Sequence, residues 1–90
     1  MQTLSLPAHL DLAAAAPLKA DLLARRGAAI EIDGSGVSRP GALCVQVLLS
    51  AAAAWRADGH DFRIVSPSAG LEEGLGRMGA GAMLLGGQGA

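Results

Sequence analysis

The stretch Ile32–Leu49, "IDGSGVSRPGALCVQVLL", decides how the rest of the chain is read. A short apolar run ends at Asp33. A loop of Gly, Ser, Arg and Pro follows, and then an apolar stretch long enough for a helix. Just upstream, Ala28–Ile32 places Ile30 and Ile32 on one face and Glu31 on the other, the alternation of a strand. Downstream, Pro40–Asp58 predicts the longest helix of the chain, stopped by Asp58-Gly59. A strand, a polar turn and a helix N-terminus often build a site. Here, however, the residue at the helix start is Ala42, which offers no nucleophile.

Working outward, Thr3–Leu6 reads as a short strand ended by Pro7, with a turn over Pro7–Leu10. Asp11 is suited to cap a helix reaching Arg25, with Leu12, Ala15, Leu18 and Leu22 at helical spacing. Pro17 interrupts that pattern, because it lacks an amide donor and clashes with the carbonyl four residues back. A later start near Ala15 or Ala16, with Pro17 in the first turn, is the preferred expectation; a kink is the other. Arg25 and Arg26 suit the negative helix end and Gly27 the stop. On the C-terminal side, Asp61–Val65 predicts a second clear strand, Phe62 and Ile64 opposite Arg63. Ser66-Pro67 turns the chain, and Ser68 caps a helix carrying Leu71, Leu75 and Met78, with Glu72 and Glu73 in its first turn.

These elements alternate strand and helix, which predicts an α/β fold with a small, mainly parallel or mixed sheet. The two clear strands, joined by the long helix, are expected to be parallel neighbours. Because both alternate, helices should pack mostly on one face and leave the other, with Glu31 and Arg63, partly wet. The expected domain is 1–79. Residues 80–90 form a Gly-rich tail in which Met83–Leu85 is a candidate docked element and the remainder is expected to fray.

Composition narrows the function. A chain of 90 residues is one domain, and its core must be aliphatic: 51% of residues are apolar but only 2% aromatic, so Trp55 and Phe62 are the only large rings. Both are expected core anchors, with an interface role as the alternative. The net charge of -1 and the lack of a basic patch argue against nucleic acid. A single cysteine, Cys44, rules out an intrachain disulfide and is expected as a small core residue, not a reactive thiol. No signal-peptide pattern opens the chain, and Leu43–Trp55 is too short to span a membrane, so a cytoplasmic location is expected. Neither a dinucleotide fingerprint, a phosphate loop nor a nucleophile elbow is present. His9 and His60 are isolated, so no metal site is expected. An enzyme reading would have to bring Asp33, Ser35 and His60 together. A non-enzymatic protein without a cofactor is the expectation.

Four segments in order, of which Asp33–Val37 and Val45–Ala54 register without a gap, together resemble the STAS family, the domain of anti-sigma factor antagonists and their relatives. "LDLAAAAPLKADLLA" (Leu10–Ala24) is similar to the family's first helix, proline included. "DGSGV" (Asp33–Val37) is similar to its strand end, "VQVLLSAAAA" (Val45–Ala54) to its long helix, and "GHDFRIVSPSAGLEEGL" (Gly59–Leu75) to the strand and helix that follow. The resemblance implies a STAS-like fold and a protein-docking surface made of Asp33, Ser35, Ser38, Arg39, Gly41 and Ala42. In antagonists of the family, a Ser or Thr at the helix start accepts a phosphate, with an acidic residue before it. In this register those positions are Ala42 and Gly41, so the resemblance implies docking without the switch. Ser38 is the expected helix cap, an alternative acceptor being the other reading. "RPGALCVQVLL" (Arg39–Leu49) is similar to stand-alone members with alanine at the acceptor position that accompany chemotaxis histidine kinases in some bacteria. The implied partner is a signalling kinase or its regulator. The alternatives are a subunit of a lipid ABC transporter and an anti-sigma factor antagonist. The Ala-rich surface of the long helix would also make a homodimer easy to form.

Overall fold

The structure, a computed structural model, describes residues 2–84. In chain order the elements are β1 (Gln2–Ser5), β2 (His9–Leu10), α1 (Leu12–Ala24), β3 (Ile30–Asp33), β4 (Arg39–Pro40), α2 (Ala42–Ala57), β5 (Phe62–Val65), α3 (Ala69–Arg77) and α4 (Gly81–Leu84). The main sheet has the order β1-β3-β5 and is parallel throughout. A second, two-stranded parallel sheet joins β2 to β4.

The alternation in the sequence sets the two faces of the main sheet. Leu4, Ile32 and Ile64 lie level across the three strands, as do Ile30 and Phe62, and all are buried. The other face carries Thr3, Ser5, Glu31, Asp33 and Arg63, exposed or half-buried, with Glu31 and Arg63 directly opposite each other. Helices α1 and α2 cover the apolar face with Ala15, Leu18 and Leu22 from one and Val45, Leu48, Ala52 and Trp55 from the other. Trp55 anchors the far end of this layer. Its ring meets Phe62 edge-on at 5.8 Å, and its indole N–H donates to the Ala28 carbonyl at 2.8 Å, so its one polar atom is satisfied. Ala80 and Leu84 belong to the same core.

Apolar burial, not charge, holds α1. Burying Leu18 and Leu22 contributes about 1.5–3 kcal/mol each. The pairs Arg25–Asp21 (2.8 Å) and Arg26–Asp58 (2.9 Å) are partly exposed and add at most about 1 kcal/mol apiece.

Three expectations are corrected. The first helix starts directly after Asp11, whose carboxylate accepts the Ala14 N–H at 3.1 Å, and Pro17 lies inside it instead of in a first turn. The cap and the buried stripe outweigh the one amide bond that Pro17 cannot make. Second, Leu12 and Met78 are not core residues; they are 78% and 42% exposed. Leu12 falls off the buried stripe because, at about 100° per residue, it lies to the other side of Ala15, about 120° around the helix from Leu18 and about 80° from Leu22. Third, the long helix begins at Ala42, because Pro40 is part of β4 and Gly41 is the cap.

Helix α3 comes close to β4 because glycine lets it. A Cβ at Gly74 would lie 2.2 Å from Pro40 Cγ, whereas one at Gly76, on the same helix, would meet nothing within 4 Å. Ser68 caps the helix, its Oγ accepting the Leu71 N–H at 3.0 Å.

Two substitutions separate close approach from helix propensity. Gly76→Ala should stabilise the protein by about 0.5–1 kcal/mol, and Gly74→Ala should destabilise it by about 1–3 kcal/mol through overpacking. Urea midpoints at equal m-values check both signs. Pro17→Ala should stabilise the protein by about 1 kcal/mol or more, read as a higher urea midpoint, because it restores one amide donor to an exposed helix position.

Candidate docking site

The loop after β3 is built by its own short-range chemistry. The Asp33 carboxylate accepts the Ser35 N–H at 2.9 Å and so closes a turn. That backbone N–H, helped by the Ser35 hydroxyl, holds the Asp33 carboxyl below the usual aspartate range, against a smaller opposing effect of burial. Val37 then enters the core and pins the middle of the loop.

Both flanks of the loop are tied. On the β2 side, the Ser38 and Arg39 N–H groups donate to the Ala8 carbonyl at 2.8 and 3.2 Å, and the Gly41 N–H donates to Leu10 at 2.7 Å. A Cβ at Gly41 would lie 2.4 Å from the Leu10 carbonyl oxygen, so this approach needs glycine. On the α3 side, the Ser68 hydroxyl donates to the Val37 carbonyl and the Ser68 N–H donates to Gly34 at 3.0 Å. The loop backbone is thus held while its outward side chains face water.

Ser35, Ser38, Arg39 and Ala42 are exposed, and Asp33 and Gly41 are half-buried. Ser38 does not cap α2, correcting the expectation. Its hydroxyl donates to the Ala8 carbonyl at 3.1 Å, and Gly41 is the cap, with no side-chain hydrogen bond. The first turn of α2 carries no acidic residue, so the positive end of the helix dipole lacks a compensating side chain there. Ala42 stands exposed at that end. Two residues on, Cys44 is buried, and its Sγ–H donates to the Asp11 carbonyl at 3.3 Å. Burial, and secondarily Asp11, pushes this thiol up, so it stays protonated at neutral pH and packs as a small apolar residue.

Arg39 stands between two shallow clefts. One, of about 410 Å³, lies between β2 and β4 and includes His9 and Asp11; the other, of about 290 Å³, lies between β4 and α3 and includes Glu73 and Arg77. Sequence reading missed these four neighbours. Two-residue strands have no period to detect, and only the β2–β4 pairing brings His9 level with Arg39. By contrast, Asp33 and His60 lie at opposite ends of the sheet: Asp33 is level with Val65, whereas His60 precedes Phe62, itself level with Ile30. The structure does not gather Asp33, Ser35 and His60 into a catalytic trio.

Among the described residues, no three His, Cys, Asp or Glu side chains come together as metal ligands. Nor, among them, is any helix long and apolar enough to cross a membrane. The loop offers a guanidinium, two hydroxyls, a carboxylate and a small apolar step at Ala42.

Searches of the curated proteins and of the solved structures returned no match. A family model described as "Mlab, STAS domain" matches residues 1–86. With a parallel sheet, helices on its apolar face and a long helix after the tied loop, the chain belongs to the STAS domain family, whose members serve as interaction modules.

Proposed function

We propose that this protein is a non-enzymatic docking module of bacterial signalling that modulates a chemotaxis-type histidine kinase and response-regulator pathway in the cytoplasm. It binds a protein partner, the kinase or its regulator, through the loop Ser35–Ala42, with Asp33 shaping the loop, and through the start of α2. The observation that carries this reading is the tied loop ending in an exposed Ala42. A surface already ordered before binding loses less entropy when the partner arrives.

Ala42, in the register set out above, occupies the place of the family's phospho-acceptor. Alanine has no hydroxyl to accept a phosphate, so the docking state is fixed. The nearby Ser38 hydroxyl is engaged with the Ala8 carbonyl, which disfavours the reading that the switch has moved there. Arg39 supplies the cation of the surface and suits a partner with a carboxylate opposite.

The test is capture from the bacterial host with tagged wild-type and Ala42→Asp proteins, read by mass spectrometry. Wild type should capture a chemotaxis kinase or a component of its complex. Ala42→Asp, which adds charge at the loop while favouring the helix end, should lower that capture by about tenfold or more. Unchanged capture would remove the loop as the interface. Transporter subunits in place of a kinase would favour the lipid ABC transporter reading, and an anti-sigma factor the antagonist reading.

A further inference from the structure

The helix layer and the sheet face outward in opposite ways. The open sheet face is polar. The outer face of the helices, which in most proteins carries the charges, is largely apolar. On α1 its exposed residues include Leu12, Ala16, Ala20 and Leu23, with Lys19 among them; on α2 they include Leu43, Gln46, Ser50 and Ala53. Leu23 is 56% exposed, and Leu12 and Leu43 still project at the N-terminal ends. Single exposed leucines need no explanation, but an apolar strip running along two adjacent helices does.

Between the C-terminal halves of α1 and α2 this strip is grooved. The groove, of about 360 Å³, has Leu22, Ala51 and Trp55 along it, Lys19 and Leu23 on the α1 side, and Val47 on the α2 side. The small Ala51 and Ala54 leave the space, and Leu23 projects beside it. One face therefore presents both a knob and a hole at adjacent positions. That is what a two-fold contact between identical surfaces requires, since each copy must supply both parts.

We propose that two copies of this chain associate through the outer faces of α1 and α2, each seating Leu23 in the groove of the other. Size and charge favour a second copy as the occupant. The protein measures 30 × 29 × 19 Å, and α2 alone, at 16 residues, is about 24 Å long. A helix layer of that breadth offers on the order of 800 Å² per partner, the size of a standard interface. No carboxylate lines the groove, and its Arg26 is already paired with Asp58. A net charge of -1 sets up little repulsion between copies. Lys19 can lay its stem on the strip and keep its ammonium in water. The groove that takes Leu23 begins at Gln46, beyond the first turn of α2, so the proposal does not rest on the function proposed for the Ser35–Ala42 loop.

Sedimentation equilibrium of the full 90-residue chain at tens of micromolar tests this. Wild type should sediment at twice its 9.0 kDa mass. Leu23→Glu should weaken the dimer by more than about tenfold. Arg63→Ala, on the open sheet face, should leave it unchanged. Far-UV circular dichroism reports whether Leu23→Glu keeps the native helix content; if it does not, Ser50→Glu, across the groove, takes its place. Wild type at 9.0 kDa throughout, or a dimer that the folded groove variant leaves as tight as wild type, overturns the proposal.

Discussion

The proposed docking surface depends on how closely the backbone between Val37 and Gly41 is gripped from both sides. On one side, the Ala8 and Leu10 carbonyls take its N–H groups; on the other, Ser68 and the glycine-bearing face of α3 press against it. The Gly41 N–H to Leu10 bond, at 2.7 Å, sits where the loop becomes α2. A side chain at Gly41 would strike the acceptor of that bond, and one at Gly74 would strike Pro40. Glycine at these two places is what lets a short parallel β2–β4 pairing form outside the main sheet. That pairing sets the position of the α2 N-terminus and of everything α2 carries.

The fold separates holding from presenting. The core is aliphatic, with a single aromatic pair closing the end near Ala28, and among the described residues no polar side chain is buried. The loop, by contrast, spends its backbone hydrogen bonds on its neighbours and keeps Arg39, Ser35 and Ala42 for solvent. Such a division suits a module that recognises a partner without making or breaking bonds. On the proposed reading, replacing a phosphorylatable residue by alanine alters none of this scaffolding. It removes only the means of turning the surface off.

Much of this was legible in the sequence because burial imposes a period. Ile30-Glu31-Ile32 and Phe62-Arg63-Ile64 each declare a strand with one buried face, and the structure pairs them in parallel. Asp58-Gly59 and Ser68 marked helix ends by the chemistry of caps. Where the period was absent, the reading ran out. The pair β2 and β4 has two residues in each strand, so its existence rests on long-range hydrogen bonds alone. Helix α1 is apolar nearly all round, so its spacing did not say which leucines lie inside. Leu12 shares the helical spacing of Ala15, Leu18 and Leu22 but lies outside, and the Asp11 cap and the buried stripe carry the helix through Pro17. The position of Ser38 before a helix suggests a cap, but the carbonyl of Ala8, just before β2, takes its hydroxyl. The loop itself is legible in the sequence; the neighbours that grip its backbone are not.

The measurement that bears most directly on a pre-formed docking surface is amide hydrogen exchange in the isolated protein, resolved at Ser38, Arg39 and Gly41. If the loop is gripped as described, these amides exchange slowly, on the scale of the β3 amides and not of an open loop, and the protection falls together when Ser68→Ala removes the hydroxyl bond to the Val37 carbonyl. If they exchange at the rate of free peptide while β3 stays protected, the loop is not held before a partner arrives, and the surface must form on binding.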